Sequence, residues 1–194
     1  MCDAALAAGI GEPFAFVDEN ATLVGQRVLG IPIVGGLERL PGPAGIALLM
    51  GIGSNAARRR AFNAARALGY EVRPVVHPSV IIGSECEIGP GAVLLARATV
   101  NAGTRVGENA ILNTACSVDH DCVVGAHAHV GPAVTLAGNV TVGEEVFLGV
   151  GVVAIPGVSI GAGSVVGAGG VIVRDLPPGC RARGVPARPV DRNL

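Results

Sequence analysis

From Ile82 to Ile172 every sixth residue is aliphatic, through Ile88, Leu94, Val100 and on to Val166, without a slip across sixteen hexads. The residue after the aliphatic stop is glycine nine times, as at Gly83, Gly125 and Gly167, and two before each stop nothing exceeds valine in size. A period of six fits neither a 3.6-residue helix nor an alternating strand. It fits a β-solenoid in which each hexad supplies one short strand and one corner, with two inward side chains filling a narrow prism. Glycine after the stop is expected to relax the backbone near the bend.

Composition narrows the function. With net charge −1, one Tyr, four Phe and no Trp, the chain lacks the basic, aromatic surface of a nucleic-acid binder. No apolar run approaches the roughly twenty residues of a membrane span. The start, Met1 to Gly9, has no secretory pattern, so the cytoplasm is the expected location. Of five cysteines, Cys86, Cys116 and Cys122 occupy the small inward position and read as core filler. There is no Cys-x-x-Cys pair.

Residues 1–78 follow another pattern. A helix end at Ala4 to Ala8 precedes short extended pieces at Phe14 to Val17 and Val28 to Val34, then a helical turn at Leu37 to Leu40. A strand over Ile46 to Met50 runs into the turn Ile52-Gly53-Ser54-Asn55. A helix over Ala56 to Leu68 is capped by Ser54 or Asn55 and stopped by Gly69. Val72 to Val76 is a last strand. The alternation predicts a small α/β domain with a parallel sheet over 1–78, the solenoid over 79–175, and a tail over 176–194 that begins at Leu176-Pro177-Pro178. Arg58-Arg59-Arg60 reads as the solvated side of the helix.

In so regular a repeat the departures carry the chemistry. Asn113 and Asp119 replace glycine after the stop, and His120-Asp121 fall on the next corner. His129, one before Val130, points outward from its strand. His127 and His77 read as ordinary corner and junction residues.

The hexads resemble the left-handed parallel β-helix of hexapeptide-repeat acyltransferases, with eighteen residues per coil and about five coils here. The segment Asn113-Thr114…Asp119-His120-Asp121-Cys122…His129 is similar to the Asn-Thr…Glu-His-Glu-Cys…His region of bacterial nucleotide-amino-sugar N-acetyltransferases and the related sialic-acid O-acetyltransferases. The resemblance implies His120 as general base and Asp121 as the carboxylate that raises its basicity, shorter by one methylene than the family's usual Glu. It implies His129 at acetyl-coenzyme A and Asn113 near the acceptor. Gly138 stacks beside the base and leaves room for the thioester, while Val150 and Ala168 match coenzyme-contacting positions. In residues 1–78, Asp18-Glu19 match the family's acidic pair, and Ile52-Gly53-Ser54-Asn55 with Arg58 match its Ile-Gly-x-Asn turn, with Asp18, Glu19, Gly53 and Asn55 on the nucleotide-sugar side. The family's first strand and glycine-rich phosphate loop have no counterpart, so the Rossmann-like domain reads as N-terminally truncated, by a late start or by loss. Arg174, Arg181, Arg183 and Arg188 could meet coenzyme phosphates, although solvated surface charge is the simpler reading of each.

The implied activity is acetyl transfer from acetyl-coenzyme A to the amine of a nucleotide-linked sugar, with UDP-linked 4-amino sugars foremost, in surface glycan synthesis. O-acetylation of a sialic-type sugar is the alternative. A zinc enzyme of the γ-carbonic anhydrase type lacks the third histidine, so no metal is expected. A non-catalytic scaffold leaves the polar cluster unexplained. With eighteen residues per coil, His120 and His129 lie a wall apart, about 13 Å for four residues of strand. The family's homotrimer would bring the two together across an interface.

Overall fold

The computed structural model describes residues 1–190. Two-residue strands recur every six residues and stack in parallel with partners eighteen residues away, so each coil has three walls. The first wall holds Val75–Val76, Val93–Leu94, Ile111–Leu112, His129–Val130, Phe147–Leu148 and Val165–Val166. The second runs from Ile81–Ile82 to Val171–Ile172, and the third from Glu87–Ile88 to Ser159–Ile160. Parallel ladder bonds close each rung, for example Val93 N–H to Ala110 O at 2.8 Å. The stops point inward: Leu94, Leu112, Val130, Leu136 and Leu148 have no exposed surface, and Val124 is 1% exposed. Cys116 and Cys122 fill the core as expected, whereas Cys86, nearer the open end, is only half-buried.

The solenoid is longer than sixteen hexads suggest. It starts at Val75–Val76, which pairs with Val93–Leu94, and continues past the prolines. Leu176 and Ala182 take core positions, and Arg181–Arg183 adds a strand to the first wall before turning back antiparallel as Arg188–Val190. The first wall therefore stacks seven parallel strands, six turns rather than about five. Residues 191–194 of the expected tail lie outside the described residues.

Glycine has a different task from the expected one. The left-handed corner residue is the third after each stop, from Glu85 to Gly169, with φ between 53° and 75°. Nine of these residues are not glycine, among them Asp121 (φ 57°) and His127 (φ 58°). Glycine directly after the stop has no such φ and is needed because the next coil passes close by. A Cβ at Gly89, Gly107, Gly125 or Gly143 would stand 2.6 Å from a backbone nitrogen one coil on.

The N-terminal region does not form a continuous Rossmann-like sheet. Ala47–Leu48 and Glu71–Val72 pair in parallel, and Phe16 bridges Ile33, but these pieces stay separate. The expected strand over Val28 to Val34 is split into the hairpin Arg27–Val28/Ile31–Pro32, because Leu29 and Gly30 take positive φ at its tip. Helix α1 (Cys2–Ala7) lays Ala4 and Ala5 against Val75, Val93 and Ile111 on the outside of the first wall. Helix α2 (Asn55–Ala67), capped by Ser54, buries Phe62 and Ala65 against Tyr70 and Val72.

The arginine run of α2 is not one solvated face. Arg58 is fully buried. Its guanidinium donates to the carbonyls of Asn109 (2.9 Å) and His127 (2.7 Å) on a solenoid corner, to Ile52 and Gly53 O, and to Asn55 Oδ1. Burial lowers its pKa to about 10, so it stays charged at neutral pH. Arg59 pairs with Glu145, and Arg66 with Glu108 at 2.9 Å. Arg58 thus fastens α2 to the coil, a role that a charge pattern along one helix cannot reveal.

Candidate active site

At the corner from second to third wall, the position after the stop is Gly83, Asn101, Asp119, Ala137, Ile155 and Val173. At the corner from third to first it is glycine five times running, from Gly89 to Gly161. Only the former edge has room for side chains, and it carries the polar cluster. Asp119 Oδ1 accepts from His120 N–H (2.8 Å) and from Asn101 Nδ2 (2.9 Å), and these bonds hold its carboxyl below the ordinary carboxylate range. Inside the prism, Thr104 Oγ1 donates to Asp119 O (2.7 Å) and accepts from Cys122 N–H (3.1 Å), bracketing the corner from beneath. Sequence reading missed Asn101 and Thr104. The signal was there for Thr104, a hydroxyl at an inward position.

His120 Nδ1 lies 2.8 Å from Asp121 Oδ2, so the shorter aspartate does reach its histidine. That hydrogen bond, with the charges of Asp119 and Asp121, raises the pKa of His120 above the ordinary value. The proton on Nδ1 is committed to the carboxylate, and Nε2 is left with a free lone pair on a half-exposed ring. Gly138 does stand beside the base, but its missing side chain makes room for the imidazole itself. A Cβ there would come within 2.6 Å of His120 Cε1 and Nε2. Gly103 does the same for Asp121, whose Oδ1 would meet a Cβ at 2.7 Å.

His129 stands on the first wall, beyond the whole of the third, so one chain does not bring the two histidines together. Its Nδ1 is 3.3 Å from Gly53 O, its Nε2 3.1 Å from Asn113 Nδ2, and Phe147 packs edge-on at 5.1 Å. Burial lowers its pKa, with Arg58 pushing the same way. Asn113 is therefore engaged with His129, and Gly53 belongs to the same cluster across 76 residues of chain. Asn55 is consumed in fastening α2, donating to Glu145 O (2.9 Å) and Val146 O (3.1 Å) and accepting from Arg58. Asp18 and Glu19 lie exposed in a turn where Asp18 Oδ1 accepts from Asn20 N–H at 2.9 Å. Val150 and Ala168 are exposed and stack one above the other on the edge that follows the first wall.

His127 is more than an ordinary corner. It is buried, paired through Nδ1 with Asn109 Nδ2 (2.8 Å) and edge-on to Phe62, which locks α2 to the coil. His77 is a turn residue whose Nδ1 accepts from Ser79 N–H. The two buried thiols offer no nucleophile: burial pushes Cys116 up to about 12 and raises Cys122 as well.

Known proteins carry the same architecture. The family described as the hexapeptide repeat of succinyl-transferase matches residues 139–174. Among solved structures, PerB from Caulobacter crescentus, in complex with CoA and GDP-perosamine, is 45% identical over 84% of this chain and 81% of its own, with TM-score 0.81. The acetyltransferase domain of PglB from Neisseria gonorrhoeae is 35% identical over 97% of this chain and 92% of that one, with TM-score 0.92. WeeI from Acinetobacter baumannii is 27% identical over 91% and 85%, with TM-score 0.85. This chain belongs to the bacterial nucleotide-amino-sugar N-acetyltransferases. Its β-helix is accordingly the left-handed one of hexapeptide acyltransferases, against the usual right-handed crossover. Such an enzyme takes its acetyl group from acetyl-CoA. No curated protein sequence matches the chain. Among the described residues no helix is long and apolar enough to cross a membrane.

Proposed function

We propose that the chain acetylates the amine of a nucleotide-linked amino sugar by direct transfer, with His120 as general base. The observation that carries this is the His120 ring itself, with Nδ1 held by Asp121, Nε2 free and the backbone cut away beneath it at Gly138. A sugar amine is largely protonated near neutral pH and needs a group to take its proton, a service worth typically 10²–10⁴-fold. The ammonium first gives up one proton to solvent, and Nε2 then accepts a second from the amine nitrogen as its freed lone pair attacks the thioester carbonyl carbon. The C–N bond forms, the C–S bond breaks, and the departing thiolate recovers the proton from Nε2. The raised pKa keeps the imidazolium within reach of neutral pH, so both proton transfers run at one site.

The acetyl donor is taken to lie along the edge of Val150 and Ala168, with His129 beside its thioester. His129 and His120 being a wall apart, roughly 13 Å, the working unit is a homotrimer in which His129 of one chain serves beside His120 of the next. PerB was crystallised with GDP-perosamine, which adds GDP-linked acceptors to the UDP-linked ones. The test is thiol release from acetyl-CoA with UDP-, dTDP- and GDP-linked amino sugars, GDP-perosamine among them, and with free sialic acids. Release with an amino sugar is expected. Release with sialic acids alone moves the enzyme to O-acetylation, and none with any acceptor overturns the reading.

A further inference from the structure

Around His129 the hydrogen bonds form one chain whose two ends are backbone groups. Thr114 N–H donates to Asn113 Oδ1 at 2.8 Å. That contact fixes the orientation of the amide, since a backbone N–H can only donate. Asn113 Nδ2 must then be the atom facing His129, and as a donor it requires an unprotonated Nε2, 3.1 Å away. At the far side Gly53 O can only accept, so Nδ1, 3.3 Å off, carries the proton. The roles that cannot usually be read from heavy atoms are settled here by the ends of the chain.

We infer that Thr114, Asn113 and Gly53 form a relay that holds His129 as the neutral tautomer with its proton on Nδ1, making Asn113 and the α2 entry turn positioning groups for this ring. The inference rests on the acetyltransferase reading only for what the ring faces, because the hydrogen bonds stand without it. Protonating Nε2 would set two donors, Nε2–H and Asn113 Nδ2–H, against each other. Burial favours the neutral ring and outweighs the Gly53 carbonyl, which favours a proton on Nδ1. Phe147 packs at a near right angle to the ring from the strand above, and from α2 the charged group acting on it is the guanidinium of Arg58. His129 therefore offers no competition for the proton that His120 must take. The relay also ties the residue-53 turn to the acetyl side of the site: Gly53 serves His129 through its carbonyl, and Asn113 serves His129 as well.

The test is the 15N spectrum of the ligand-free full chain labelled at histidine, with His129 assigned by loss of its signals in His129→Gln. A pyrrole-like Nδ1 and a pyridine-like Nε2 are expected, with the ring still neutral at a pH where free imidazole is half charged. Asn113→Asp keeps the acceptor for Thr114 but turns the facing atom into a charged acceptor. It should raise the His129 midpoint by about one pH unit or more and move the ring to the doubly protonated form. Asn113→Ser, too short to reach the ring, should leave the midpoint between the two. An Nε2-protonated ring in the unmodified protein overturns the relay even if no variant folds, and so does a midpoint indifferent to Asn113→Asp. Failure of the acceptor screen would leave these spectra as they are.

Discussion

Because the Asp121 carboxylate holds the proton on His120 Nδ1, the charged ring is favoured and the base works only above that raised pKa. Turnover should climb with pH through a midpoint above the ordinary histidine value of about 6.5. Asp121→Asn removes the largest cause of the rise, so the acid limb of kcat/KM should move to lower pH while the maximum falls. A limb that stays put would detach Asp121 from the base. His120→Ala should lower kcat by about 10²-fold or more with Tm near that of the unmodified chain, its ring being exposed. Normal turnover in that variant would end the assignment. His129 is shifted the opposite way by burial, so the two histidines favour opposite protonation states.

Elements of this chain are joined at corners, and the corners make opposite demands within a few residues. Gly125 lies where a Cβ would stand 2.6 Å from Glu144 N, whereas Ala133 takes φ 53° with its side chain exposed. Gly125→Ala should therefore destabilise the coil by about 1–3 kcal/mol, and Ala133→Gly should be neutral or stabilising. Melting of the two variants side by side checks the contrast, and equal effects would refute it. Between elements, Arg58 is the main fastening of α2. Arg58→Leu strips donors from the buried carbonyls of Asn109 and His127 and should cost on the order of 3 kcal/mol or more. Loss of Tm without loss of β-helix signal below the transition would place the damage at that seam.

For the whole molecule, the proposed shared site makes assembly the condition to test. Chains with His120→Ala and chains with His129→Ala, each weak alone, should regain part of the turnover when unfolded together and refolded, because mixed trimers contain some interfaces with both rings intact. A fully active species sedimenting as a monomer would rule out the shared site. The core itself should fail as a unit: Val124→Asp sets a carboxylate in a prism that leaves 1% of that residue exposed, and it should abolish cooperative folding.

The six-residue period by itself determined which side chains meet in the core. Val124, Cys116 and Leu136 could be placed there without coordinates, since each hexad reports its own inward residue. The same regularity exposed Asn113, Asp119, His120 and Asp121 as departures, and likeness to a family supplied their expected roles. What the tertiary structure decided lies between elements that share no pattern. Arg58 meets His127 across 69 residues and Gly53 meets His129 across 76, and neither pairing has a spacing to read. The α/β alternation of the N-terminal region likewise promised a sheet, and short pieces formed, because a strand pattern marks extended chain and leaves its partner unspecified. Glycine after the stop was legible as a requirement, but its reason was not. A close approach from the next coil belongs to the stacked chain, and a single hexad carries no trace of it.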